Sequence, residues 1–142
     1  MVSNRDDAIM EYFENHFTSI EEMLKLILVN NLIDAGTVSF KTNQIEICKE
    51  VCDGLDKYSI EIGEQTKVGN SILQFLIVTE KMQIKQIQNI YDLFKNYHCD
   101  MEPVLQFTHL NGMQRKRIIE RGISYYVIGK ELHIFSLGDE YS

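Results

Sequence analysis

Proline occurs once in these 142 residues and cysteine three times. A single proline, with no Gly- or Ser-rich tract beside it, leaves no interdomain linker, and no repeat divides the chain. Three cysteines are too few for the disulfide framework of a small secreted domain, so free thiols and a cytoplasmic setting are the default. No apolar run approaches the ~18 residues of a membrane span; Leu26–Val29 and Phe75–Val78 are core-sized. The N-terminus, with Asp6 and Asp7, is too polar for a signal peptide. Gly63, Gly69, Gly112, Gly122, Gly129 and Gly138 match neither the dinucleotide fingerprint nor the P-loop, and there is no Gly-x-Ser-x-Gly elbow.

What is present describes one globular domain. Apolar residues make up 44% and charged residues 25%, ordinary values for a chain that buries its own core. The net charge is −7, a field that repels phosphates and argues against a general nucleic-acid binder.

Helical spacing predicts a first helix over residues 5–17. Ser19 and Glu22 then form a capping box for a second, buried one that ends at Gly36. Thr37–Phe40 and Gln44–Val51 read as β, and Asp53-Gly54 as a turn. Tyr58–Ile62 alternates as a strand, and residues 63–70 read as its hairpin connection. Ser71–Val78 is apolar except Gln74, as a strand covered on both faces would be. Thr79 is placed to cap a helix over Lys81–Tyr97. Pro103 opens a strand over Val104–Phe107. Asn111 and Gln114 cap a helix that ends at Gly122, and Gly129-Lys130 make a two-residue hairpin turn. The order ααβ(β)β-α-β-α-ββ predicts an α/β (α+β) domain with a mixed sheet flanked by helices.

The order also resembles the restriction-endonuclease-like core, which holds magnesium through converging carboxylates and a lysine. Here Ser71–Val78 carries neither, and Glu61 has no acidic partner on its strand. The expectation is such a core without its nuclease site. A degenerate nuclease-like enzyme is the weakest of three functional readings, because no catalytic constellation is complete. Cys48, Cys52, His98 and Cys99 invite a zinc reading. An adjacent His-Cys pair seldom serves one ion, however, so two small buried cysteines and an exposed helix end are expected instead, with no metal and no cofactor. His16, His109 and His133 lack acidic or thiol partners at catalytic spacing.

Residues Pro103–Phe107, Leu110, Gln114–Ile119, Gly122-Ile123, Tyr125–Val127 and Gly129–Leu132 carry a likeness of another kind. They resemble the end of the N-terminal domain in a group of Gram-positive bacterial MarR-like regulators, where a similar run precedes a winged helix. Ser124 stands where that group has proline, and Phe135-Ser136 stands near its second proline. The resemblance implies the domain that does not contact DNA: it would sense, dimerise or dock. It would do so as part of a longer protein or as a stand-alone, for example phage-borne, relative.

The first functional reading is therefore a non-catalytic regulatory domain that binds a protein partner or its own copy, with no direct nucleic-acid contact and no membrane. Tyr125, Tyr126 and Phe135 are its expected anchors, part of that set facing outward. Arg115, Lys116, Arg117 and Arg121, four of the chain's 14 cations, form a basic helix with Met113, Ile118 and Ile119 expected inward. A solvated helix face is the favoured explanation of that cluster over a binding role, since no aromatic platform accompanies it in an acidic chain. The alternative reading is an acidic inhibitor of a nucleic-acid-handling protein, presenting Asp6, Asp7, Glu11, Glu14, Glu21 and Glu22 in place of phosphates.

Overall fold

The computed structural model describes residues 45–68 and 71–135, together with Leu24 and the backbone of residues 38–39. The elements are β1 (Val38–Ser39), α1 (Lys49–Lys57), β2 (Ile60–Val68), β3 (Ser71–Val78), α2 (Ile84–Tyr97), β4 (Met101–Phe107), α3 (Gly112–Glu120), β5 (Ser124–Val127) and β6 (Glu131–His133). The strands form one six-stranded sheet in chain order. Its β3–β4 and β4–β5 pairs are parallel and the others antiparallel. This is the mixed α/β sheet that the sequence predicts. The two expected N-terminal helices lie outside the described residues, apart from Leu24.

Parallel neighbours that follow one another in sequence put both crossover helices on one face. There α2 contributes Ile87, Ile90 and Phe94 and α3 contributes Ile118, with Val51 and Leu55 of α1 alongside. Leu76, Leu105 and Tyr125 meet them from the sheet. The opposite face gathers Leu73, Phe75, Val104, Tyr126 and Leu132 around helical Leu24. Two covered faces explain why β3 is apolar almost throughout.

Several local expectations change. Lys49–Lys57 is a helix, where Gln44–Val51 had read as a strand and Asp53-Gly54 as a turn. Val51 and Leu55, four residues apart, are its buried stripe. Gly54 is there for close approach: a Cβ would lie 2.3 Å from Leu93 Cδ2, so glycine lets α1 settle against α2. The helix stops at Tyr58, and Ser59 follows with φ of 57°.

β2 runs on to Val68 through the segment that had read as a hairpin loop. Its register slips between Ile62 and Gln65, a bulge against β3. Two buried glutamines stabilise it. Gln74 Nε2 donates to the carbonyls of Gly63 (3.1 Å), Glu64 (3.2 Å) and Phe75 (2.9 Å). Gln65 Nε2 donates to Gln74 Oε1 (2.9 Å) and to the Ile45 carbonyl (3.0 Å), while Gln65 Oε1 accepts the Ile45 N–H (2.7 Å). A single side chain thus clasps the backbone that leads into α1.

Thr79 does not cap α2; its hydroxyl donates to the Ser59 carbonyl. The N-cap is Gln83, whose N–H donates to Gln86 Oε1 at 2.9 Å while its carbonyl accepts the Gln86 N–H at 3.0 Å. β4 starts at Met101, ahead of Pro103. The β5 pairing begins only at Val104, so the proline sits where β5 asks for no N–H. The hairpin loop is Ile128-Gly129-Lys130, three residues rather than two. Gly129 has φ of 76°, and the Lys130 N–H donates to the Val127 carbonyl at 2.9 Å.

Candidate interaction surface

Helix α3 begins as its sequence predicts. Asn111 Oδ1 accepts the Gln114 N–H at 2.8 Å, and Gln114 Oε1 accepts the Asn111 N–H at 3.4 Å. It ends at Gly122, whose φ of 68° supplies the left-handed cap. Of the three apolar residues expected inward, only Ile118 is buried; Met113 is 65% and Ile119 38% exposed. Helical geometry turns Ile119 about 100° and Met113 about 140° away from Ile118. A nine-residue helix seated on one buried residue cannot tuck in all three.

Arg115 and Lys116 are exposed on the same helix. Arg115 Nη1 lies 3.3 Å from Glu131 Oε1, a solvent-screened pair that contributes ~1 kcal/mol at most. Glu131 Oε2 accepts the Tyr125 hydroxyl at 2.7 Å. Burial, then this hydrogen bond, pushes the Tyr125 phenol far above the usual tyrosine range. Behind it, Tyr125 stacks on His133 (5.5 Å, 22°) and His133 on Phe135 (4.3 Å, 35°). Between α3 and this hairpin lies a hollow of about 610 Å³, lined chiefly by Arg115, Lys116, Ile119, Tyr125, Glu131 and His133.

The expected aromatic anchors are therefore not outward-facing. Tyr125 is 1% and Tyr126 2% exposed, because successive residues of β5 enter opposite cores and both cores are covered. Tyr126 meets Phe75 edge-on at 5.9 Å, far from the hollow, and Phe135 is half-buried. Arg121 also lies apart: it reaches α2, donating to Gln88 Oε1 at 3.3 Å. The structure brings together Arg115, Lys116 and Tyr125, and Phe135 through His133. Glu131, Ile119, His133 and Met113 were not singled out for this surface. The cross-strand partner of Tyr125, His133, is identifiable only once the loop is known to hold three residues.

Elsewhere, His98 does reach Cys48, its Nε2 accepting the Cys48 N–H at 3.1 Å. That bond occupies one of the two imidazole nitrogens. Cys52 Sγ donates weakly to the Ile47 carbonyl, and Cys99 is exposed. Cys48 and Cys52 are half-buried rather than enclosed, and His98 is half-buried against Phe94 rather than exposed. Burial, then neighbouring carboxylates, raises the Cys52 pKa. Among the described residues no group of three or more His, Cys, Asp or Glu could hold a metal ion. Glu61 is exposed on β2, opposite Ile77. The acidic cluster from Asp6 to Glu22 lies outside the described residues. No described helix is long and apolar enough to cross a membrane. No family model, curated protein or solved structure matches the chain.

Proposed function

We propose that this chain is a non-catalytic interaction domain of a MarR-like bacterial or phage regulator, and that α3 with the β5–β6 hairpin docks a protein partner. The observation that carries the reading is the exposure of Met113 and Ile119 on a helix that also presents Arg115 and Lys116. Apolar anchors flanked by arginine are the usual centre of an interface. The aromatic residues act from beneath: Tyr125 and His133 line the hollow, Phe135 packs against His133, and Glu131 orients Arg115.

Charge selects the partner. Residues 112–121 carry four cations and one carboxylate, Glu120, in a chain of net −7. A symmetric dimer through this face would bring basic ridge against basic ridge. An acidic surface on a different protein is complementary. Duplex DNA is not the expected target, since the rest of the molecule repels it.

The test compares wild type with Arg115→Glu/Lys116→Glu and with Ile119→Asp. The variants give up the Arg115–Glu131 pair or the covered part of Ile119, and each should stay within about 1–2 kcal/mol of wild-type stability. Wild type should run as a monomer by light scattering and retain an acidic partner that both variants lose. Equal capture by all three would refute the surface. A salt-dependent shift of duplex DNA by wild type, abolished by the charge reversal, would replace it with a nucleic-acid role.

A further inference from the structure

A second recess lies on the other side of α3, between that helix and the start of α2. Its volume is about 610 Å³, within the range of small-molecule sites. The floor is apolar: Met82, Ile87 and Ile118 are buried and Ile84 half-buried. Exposed Lys81, Lys85 and Arg117 stand around it, and no carboxylate lines it. Among the described residues the ion pair present is Arg115–Glu131, so none of these three cations has a carboxylate partner there. A hollow of about 410 Å³ continues from it past the ends of β3 and β4, along Thr79, Glu80, Thr108 and His109. The recess thus adjoins the carboxyl ends of the parallel strands β3 and β4.

We infer that this recess binds an amphiphilic carboxylate: an apolar chain or ring on the Met82–Ile87–Ile118 floor, its carboxyl group among Lys81, Lys85 and Arg117. Three cations without a carboxylate partner among the described residues, set over an apolar floor, make the recess locally complementary to that chemistry in a chain of net −7. A carboxylate fits better than a phosphate. Phosphate sites recruit a tier of backbone N–H donors. Here the Gln83 N–H donates to Gln86 Oε1 and the Gln86 N–H to the Gln83 carbonyl at one helix start, and a capping box uses the N–H groups of Asn111 and Gln114 at the other. The recess uses Gln114, Arg117 and Ile118, whereas the partner surface uses Arg115, Lys116 and Ile119. The two proposals therefore stand or fall separately.

Decanoate is the probe, titrated into the isotope-labelled full chain and followed by amide shifts and calorimetry. Decanol, acetate and inorganic phosphate serve as the comparison arms. Decanoate should saturate with shifts at Met82, Ile87, Gln114 and Ile118, and bind at least about ten-fold tighter than decanol. Acetate and phosphate should move nothing. Lys85→Glu/Arg117→Glu should weaken decanoate by about ten-fold or more with an unchanged circular dichroism spectrum. Ile84→Trp, which fills the recess and keeps every charge, should block it. The inference fails if decanoate does not bind, if it binds no better than decanol, if the shifts centre on Ile119 and Tyr125, or if both variants bind as wild type does.

Discussion

Replacing Gln74 with leucine tests whether the buried glutamine pair holds the β2–β3 bulge. Gln74 is 1% exposed and its Nε2 is the donor to the carbonyls of Gly63 and Glu64, beside the register slip. Leucine removes that donor and also strips Gln65 Nε2 of its acceptor on Gln74. Four polar groups then lose a partner: the carbonyls of Gly63, Glu64 and Phe75, and Gln65 Nε2. Each costs about 1–3 kcal/mol if left unmet in the interior, and the half-buried bulge carbonyls belong at the low end. Against a gross loss of about 3–4 kcal/mol, apolar burial of the new side chain returns about 1–2. The expected net loss is about 2 kcal/mol. With a urea slope of about 1.5 kcal/mol per molar, the unfolding midpoint should fall by roughly 1.3 M at unchanged slope. Gln65→Leu should cost more than the lost glutamine contact alone, because it also frees the N–H and carbonyl of Ile45. The double variant should lose less than the sum of the two, by about 1 kcal/mol, since the broken contact is shared. A net loss below about 0.5 kcal/mol for Gln74→Leu, or strict additivity, would refute the account.

Gly122→Ala should cost about 1 kcal/mol, since φ is 68° and an added Cβ meets nothing within 4 Å, so the penalty is backbone alone. Gly112→Ala, at the start of the same helix with equally open space, should be neutral or stabilising by up to ~1 kcal/mol, and chemical denaturation of the pair isolates the left-handed term. Tyr125 carries the pH prediction. Its folded pKa is raised, so the unfolded chain loses the proton first. That stability is fully present below the unfolded value of about 10 and falls above it by about 1.4 kcal/mol per pH unit for each such group. Tyr126 and Tyr91, both raised by burial, add to the decline. Tyr125→Phe should therefore have a shallower loss of stability between pH 9 and 11 than wild type, and parallel curves would contradict the burial and hydrogen bonding described.

Legibility followed the range of the interactions. The α3 cap, its Gly122 terminus, the buried β3 and the mixed α/β class depend on a few neighbouring residues or on an apolar run, and the sequence determined them. The bulged β2 was not legible, because Gln65 and Gln74 look like ordinary polar residues until register sets them opposite each other. Gly54 read as a turn because its reason lies in Leu93, on another helix. The functional surfaces divide in the same way. Arg115 and Lys116 were identifiable as exposed cations from helical spacing. That Tyr125 is buried while Met113 and Ile119 are not was decided by which faces of a short helix and a fully covered strand meet other elements. The recess of Lys81, Lys85 and Arg117 comes from segments far apart in the chain. Charge and capping are local properties of a sequence, whereas burial and convergence are properties of the packed chain alone.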